Sequence, residues 1–222
     1  VSMPHKQNII PYLDEISTAS RLCNAVNTIT FKDGKYYGTI TDGIGFTRSL
    51  EEQGWLIKDK KITMVGAGGA STAIMVQLAL DGVKEIIVYN RTMRTEFQEI
   101  INNTIIETGC TITLKSLSDL ESLKKDMHSS YLFINTTGVG MEPMLERSVV
   151  PDASYFKPDL KVADIIYQPA VTKMLRLAKE AGCATMNGEL MLLYQGVESF
   201  KIWTGQEMPI NEVKKVLGIE VK

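Results

Sequence analysis

The sequence predicts an α/β protein built on a doubly wound parallel sheet, and three observations carry the prediction. A short apolar strand, Lys61-Ile62-Thr63-Met64-Val65, empties into the glycine-rich turn Gly66-Ala67-Gly68-Gly69-Ala70-Ser71 and then into a helical pattern over 72–80. From residue 61 onward strand-like and helical stretches alternate without a break in composition, the pattern of a parallel sheet covered on both faces. With 222 residues, 44% of them hydrophobic and 23% charged, the chain can bury such a sheet and still build a smaller second unit.

The elements follow in order. Pro4 precedes a helical run that reaches Leu13, and Val1-Ser2 read as part of a strand. Thr28-Ile29-Thr30-Phe31 and Tyr36-Tyr37 flank Lys32-Asp33-Gly34-Lys35, whose Asp-Gly pair is a strong hairpin-turn signal. A helix over 42–54 leads into the glycine-rich region. Strands are expected over 62–65, 86–89, 111–114, 131–135, 162–165 and 184–186, with helices between most of them. The organisation expected is residues 1–43 as the remainder of a smaller α/β domain, 44–203 as a Rossmann-like nucleotide-binding domain, and 204–222 as a C-terminal helix that packs back toward the first unit.

The glycine-rich turn is a phosphate-binding signature when a strand precedes it and a helix follows. Glycines permit the tight turn and the close approach of a pyrophosphate, whose charge meets unpaired N–H groups at the helix start. Ser71 occupies the last position of the fingerprint, small enough for close helix–strand packing. About twenty residues on, an NAD enzyme places an acid for the ribose hydroxyl. Here the second strand ends in Asn90-Arg91-Thr92-Met93-Arg94, which offers amide, hydroxyl and guanidinium donors. A forked guanidinium suits a phosphate, so NADP is the expected cofactor, with NAD as the alternative and a solvated helix start as the plainest reading of Arg91 and Arg94. Asn135-Thr136-Thr137-Gly138-Val139-Gly140-Met141 follows another strand end and is placed to line the same cleft.

Composition narrows the function classes. The 24 Lys plus Arg against 26 Asp plus Glu leave a net charge of −2, which supplies no general basic field for nucleic acid. Cys23, Cys110 and Cys183 are scattered and odd in number, which argues against a disulfide framework or a metal site and for a reducing compartment, here the cytoplasm. No apolar run approaches the length of a membrane span, and no charged-then-apolar leader opens the chain. His5 and His128 stand in no ligand or relay spacing.

Several separated motifs together carry a family resemblance. Val1-Ser2-Met3-Pro4-His5-Lys6, Asn24-Ala25-Val26-Asn27-Thr28, Thr41-Asp42-Gly43-Ile44-Gly45-Phe46, the turn at 66–71, Asn90-Arg91-Thr92, the segment 135–141, Asp164-Ile165-Ile166-Tyr167-Gln168-Pro169, and Gly188-Glu189-Leu190-Met191-Leu192 through Gln195 to Trp203-Thr204-Gly205 resemble the shikimate dehydrogenase family in order and spacing. The resemblance runs the length of the chain, and the Ser-Met-Pro start is also similar to the quinate/shikimate dehydrogenase branch. The acid that branch carries after the second strand is absent here.

The resemblance implies a reversible, NADP-dependent reduction of 3-dehydroshikimate to shikimate, a step of aromatic amino-acid synthesis, in an enzyme that binds a small-molecule substrate, neither nucleic acid nor membrane, and allows a homodimer. It implies Lys6 and Asp42 as the catalytic pair, with the choice of base open; in their plainest readings Lys6 is a surface lysine and Asp42 a helix N-cap. It places Ser2, Asn27, Tyr167 and Gln195 around the substrate hydroxyls and carboxylate. Around the cofactor it places Gly66, Ala67, Gly68, Gly69, Ala70, Asn90, Arg91, Thr92, Arg94, Thr136, Ile165 and Gly188. Ser2 stands where the family more often has Thr, and Tyr167-Gln168 where Tyr-Asn is commoner. The resemblance also implies roughly sixty earlier residues bearing a Ser-x-Ser grip on the substrate carboxylate, since a small sheet without its partner strands is hard to stabilise. The alternatives are a quinate/shikimate dehydrogenase accepting NAD and, from another class, a truncated non-catalytic dinucleotide-binding module.

Overall fold

The computed structural model describes residues 1–2 and 4–219. Its main sheet has six parallel strands in the spatial order β6-β5-β4-β7-β8-β9: β4 (Lys61–Val65), β5 (Glu85–Asn90), β6 (Thr111–Ser116), β7 (Leu132–Asn135), β8 (Lys161–Asp164) and β9 (Thr185–Met186). Two three-strand halves run outward from β4 and β7, so the strand order reverses between them, where doubly wound sheets hold ligands. All six sequence-expected strands are present. Register aligns their ends: Tyr89 pairs with Val65, Val65 with Asn135, and Asn135 with Asp164. One row of residues therefore marks the rim of the sheet.

Alternation along each strand builds two cores. Ile62, Met64, Ile86 and Val88 face one side and pack with α3 (Gly69–Leu80) and α4 (Thr95–Thr108). Val65, Ile87, Tyr89 and Phe133 face the other and pack with α5 (Leu120–Ser129) and α6 (Lys173–Glu180). Successive side chains of a strand point to opposite faces, so helices on both sides require apolar residues at nearly every position. That explains why these strands read as continuous apolar runs. α3 is buried almost all round, since it lies beneath both α4 and the smaller unit.

The smaller sheet has three strands, β1 (Glu15–Ile16), β2 (Thr28–Lys32) and β3 (Lys35–Thr39), in the order β1-β3-β2. β2 and β3 form the expected hairpin, and Asp33 and Gly34 adopt φ of 52° and 80° in its turn, the left-handed geometry that an Asp-Gly pair accommodates. β1 and the short helix α1 (Thr18–Cys23) come as additions to the sequence reading, with the Ser17 hydroxyl accepting from the Ser20 N–H at the helix start.

The helix expected up to Leu13 is absent. Turns occupy 4–9, and a single 3-10 turn spans Ile10–Tyr12 around Pro11. Proline removes a donor, and so short a segment between two prolines cannot offset the cost of helix nucleation. Val1 and Ser2 join no strand; the Val1 ammonium donates to the Asn27 carbonyl at 2.6 Å. Met3 lies outside the described residues.

Helices α2 (Asp42–Glu52) and α7 (Glu189–Thr204) pack on each other and join the two sheets. Ser199 of α7 hydrogen-bonds Thr28 at 2.8 Å, and the Trp203 indole donates to the Ile29 carbonyl at 3.0 Å. The last helix, α8 (Ile210–Leu217), covers the start of α7 through Met208, Ile210 and Val213, and its buried Lys214 donates to Glu52 of α2 at 2.5 Å. The closeness of α2 and α7 depends on Gly45, where a Cβ would stand 2.6 Å from the Gln195 nitrogen and 2.8 Å from the Met191 oxygen. Both neighbours are backbone and cannot swing aside. Gly45→Ala is therefore expected to destabilise the protein by about 1–3 kcal/mol through overpacking, a loss readable as a lower denaturant midpoint; an unchanged midpoint would show that the helix pair gives way easily.

Candidate active site

The glycine-rich turn leaves β4 at Gly66, whose φ of 123° suits glycine and where a Cβ would come within 2.5 Å of the Thr136 hydroxyl. The buried Ser71 hydroxyl donates back to the Gly66 carbonyl at 2.6 Å, closing the turn on itself. α3 begins at Gly69 with Gly68 as its N-cap and no side chain capping it. At Gly68 and Gly69 a Cβ would meet nothing within 4 Å, so open space lies in front of the helix N-terminus. Backbone N–H groups and the positive end of the helix together favour an anion there.

That turn forms one wall of a cleft of about 770 Å³. Asn90, Arg91 and Arg94 line it from the end of β5, Thr136 and Thr137 from the end of β7, and Arg147 and Lys173 from farther along the chain. Asn90 shapes its own turn by donating to the Thr92 carbonyl at 2.7 Å. Among the described residues none of the four cations forms an ion pair, whereas Glu146 beside them is taken by Arg176 at 2.7 Å. No carboxylate stands at the β5 end. The donor set therefore fits a dinucleotide that carries an extra phosphate on its ribose.

A second cleft of about 600 Å³ shares Thr136, Thr137 and Gly138 with the first and is lined further by Met141, Ile165 and Tyr167. Tyr167 is 51% exposed, and its phenol makes no hydrogen bond among the described residues. Gly188 closes this region from behind: a Cβ there would lie 2.0 Å from the Ile165 carbonyl oxygen, so only glycine lets the start of α7 approach the end of β8.

Lys6 and Asp42 meet where the smaller unit joins α2. Lys6 Nζ donates to Asp42 Oδ2 at 2.5 Å, with the two side chains 23% and 14% exposed. The Val26 N–H donates to the Lys6 carbonyl at 2.8 Å, which fixes the turn that carries the lysine. Asp42 is the first residue of α2, yet its carboxylate does not cap the helix. Its other oxygen, Oδ1, accepts from Asn27 Nδ2 at 2.9 Å. Asn27 is itself fully engaged: Nδ2 also donates to Thr41 Oγ1 at 3.0 Å, and Oδ1 accepts from the Thr41 N–H at 3.1 Å and from Thr28 Oγ1 at 2.9 Å. The amide that the sequence assigns to substrate hydroxyls thus holds the carboxylate in place.

Lys6, Asp42 and Asn27 form one group. Gln195 stands on α7 where that helix crosses the first turn of α2, its amide donating to the Leu192 carbonyl at 3.2 Å. Ser2 is exposed close to the same group through the Val1 ammonium on Asn27. Ala67 and Ala70 belong to the glycine-rich turn, and exposed Thr92 to the arginine-bearing turn. Arg147 and Lys173 escaped the sequence reading, because no motif links them to the arginines some fifty or more positions earlier. The cysteines are buried thiols: burial lifts Cys23 to about 12, with the Asp42 charge adding to it, and lifts Cys110 and Cys183 to about 11. None is poised as a nucleophile. No metal-holding cluster of His, Cys, Asp and Glu occurs among the described residues.

Fold and site define a nicotinamide-nucleotide-dependent oxidoreductase with a cationic cofactor cleft. Residues 49–167 match the family described as shikimate/quinate 5-dehydrogenase, residues 1–29 the shikimate dehydrogenase substrate-binding domain, and residues 188–217 the shikimate 5'-dehydrogenase C-terminal domain. The shikimate dehydrogenase (NADP(+)) of Listeria innocua serovar 6a is 45% identical over 221 residues, covering 98% of this chain and 75% of that protein. That of Streptococcus uberis is 47% identical over 222 residues, with coverage of 98% and 75%. The crystal structure of shikimate 5-dehydrogenase from Listeria monocytogenes, in complex with shikimate and NAD, superposes with a TM-score of 0.94 at 46% identity, covering 98% of this chain and 76% of that one. The chain belongs to the shikimate dehydrogenase family and is an NADP-dependent oxidoreductase.

Arg91 gives the cofactor reading its test. Replacing it with alanine is expected to weaken NADP by about 1.5–3 kcal/mol, the worth of one charge-assisted contact, while leaving NAD nearly unchanged. Steady-state kinetics with both cofactors measure it, and equal losses for the two would remove Arg91 from phosphate recognition.

Proposed function

We propose that this chain interconverts 3-dehydroshikimate and shikimate with Lys6 and Asp42 as its proton-handling pair, and the observation that carries the reading is the 2.5 Å contact between Lys6 Nζ and Asp42 Oδ2. Bound NADP supplies the hydride acceptor for the alcohol and, when reduced, the hydride for the ketone. The chain must then move a proton at the reacting oxygen. A cation and a carboxylate in direct contact share that task, because each changes the proton affinity of the other. Asn27 restricts the carboxylate to one orientation through Oδ1, which leaves the Lys6 side of the pair to meet the substrate hydroxyl.

The remaining substrate contacts suit a polyol carboxylate. The Ser2 hydroxyl, the Tyr167 phenol and the Gln195 amide are donors and acceptors for ring hydroxyls and for the carboxylate. Ser2 and Gln195 border the Lys6 group, and Tyr167 reaches from the second cleft. Asn27 joins them toward the substrate hydroxyls and also holds Asp42. The 66–70 turn with Arg91, Arg94 and Thr92 grips the phosphates, while Thr136, Ile165 and Gly188 border the region between that grip and the substrate. A division into residues 1–43, 44–203 and 204–222 follows, with α2 and α7 bridging the first two. A cytoplasmic location accords with three unpaired, buried cysteines; no helix among the described residues is long and apolar enough to cross a membrane.

Shikimate-dependent reduction of NADP by the purified protein tests the activity. Lys6→Ala and Asp42→Asn are each expected to lower turnover by about 10²–10⁴-fold, the usual yield of acid–base catalysis, with NADP binding unchanged. The double variant should lose far less than the product of the two single losses, since groups acting as one unit are not additive. Near-normal turnover in folded Lys6→Ala protein would take the lysine out of the chemistry.

A further inference from the structure

Asp164 closes β8, is wholly buried, and plays no part in the proton transfer described above. Three donors converge on its carboxylate. The Asn135 amide and the Ile166 N–H reach Oδ1, each at 3.1 Å, and the Thr172 hydroxyl reaches Oδ2 at 2.8 Å. Asn135 precedes and Ile166 belongs to segments that line the second cleft, while Thr172 caps the start of α6.

Asn135 accepts through Oδ1 from the Thr137 N–H at 3.0 Å and the Thr137 hydroxyl at 2.7 Å, and donates to the Val139 carbonyl at 3.3 Å, so the loop at 136–139 hangs from it. Ile166 opens the loop that carries Tyr167, and its carbonyl accepts from the Gly188 N–H at 3.0 Å. That bond, with the 2.0 Å approach a Cβ at Gly188 would make to the Ile165 carbonyl, locks the start of α7 onto the end of β8. Three segments far apart in sequence thus share one buried anchor.

Among the described residues Glu142 is the only charged one lining the second cleft, whereas the first holds Arg91, Arg94, Arg147 and Lys173 beside Glu146. The phosphates belong with the cations. A planar ring, uncharged when reduced and bearing one delocalised charge when oxidised, belongs with Met141, Ile165 and the shared Thr136. We infer that Asp164 is a positioning residue for hydride transfer, its carboxylate fixing the segments at 136–138, 165–167 and 188 against which the nicotinamide ring rests. The inference builds on the NADP-dependent activity proposed above. Burial pushes the pKa of this carboxyl up to about 6, against the three hydrogen bonds that favour the anion. A hydrophobic side chain would avoid that cost and lose the anchor.

The test compares Asp164→Ala, Asp164→Asn and Asn135→Ala, each corrected for its folded fraction. The readouts are turnover of 3-dehydroshikimate, the Kd for NADPH, and the emission of bound dihydronicotinamide. Asp164→Ala is expected to lower turnover about tenfold or more, because small misplacements of reacting groups cost up to about 10²-fold. Its NADPH affinity should stay within about threefold, since charge contacts at the far end of the cleft dominate binding. Emission of the bound ring should fall toward that of free NADPH. Asp164→Asn keeps an acceptor for Asn135 and Ile166, and should restore most of the turnover and emission. Asn135→Ala cuts the loop at 136–138 from the anchor and should show the same separation of turnover from affinity, which decides the matter if Asp164→Ala does not fold. Turnover and emission at wild-type values in the folded variants would overturn the inference. A wild-type protein that binds NADPH but does not reduce 3-dehydroshikimate would instead overturn the proposed activity, and the emission series would still judge Asp164.

Discussion

A parallel sheet covered on both faces can keep polar groups only at its rim, and that constraint organises everything else in this protein. Apart from Thr63, whose buried hydroxyl is taken by Ser130, the interiors of β4, β5, β7 and β8 are apolar on both sides, so chemistry has little room until the strands end. Register brings Tyr89, Val65, Asn135 and Asp164 to one row, and immediately beyond it lie the glycine turn, the arginine-bearing turn and the two threonines. The reversal of strand order between β4 and β7 opens the row at its middle. A long ligand can lie across such an opening with its charged end on the β4–β5 side and its reactive end on the β7–β8 side.

The Lys6–Asp42 pair stands off this sheet, and its position depends on how closely two helices meet. Asp42 begins α2, and α2 is pinned against α7 at a glycine contact that admits no side chain. α7 in turn begins at Gly188, pressed against the end of β8. The geometry at Lys6 and Asp42 is therefore transmitted to the sheet rim through one rigid helix rather than through loops. At the other end of that helix pair, Glu52 takes hydrogen bonds from Tyr194 and from buried Lys214, and Arg48 pairs with Glu198. These are structural ion pairs on the bridging elements, removed from either cleft.

Much of this was legible in the sequence, for identifiable reasons. The six main strands were readable because burial on both faces forces long apolar runs, and the hairpin because Asp33-Gly34 supplies the left-handed backbone its turn needs. The opening segment was misread because apolar spacing near Pro4 imitates a helix that Pro11 interrupts. Lys6 and Asp42, thirty-six positions apart, could be paired only through the family resemblance, since no local spacing joins them. Arg147 and Lys173 stayed hidden because they reach the cleft by tertiary folding from a loop and from the start of α6. Asn27, expected at the substrate hydroxyls from the resemblance alone, also bonds Asp42 and Thr41, contacts that no local spacing announces.

The treatment of carboxylates at two positions shows how the fold divides its tasks. Asp42 is partly exposed and faces a lysine, the setting that the proposed proton transfer requires. Asp164 is sealed from water and faces only neutral donors, Asn135, Thr172 and a backbone N–H, so its charge is spent on geometry. The same chemical group thus stands beside solvent and a cation at one position, as the proposed proton transfer requires, and among neutral loop donors at the other. Exchange of the two environments would fail on each side. A sealed carboxylate has no path for protons, and an exposed one would lose its loop partners to water.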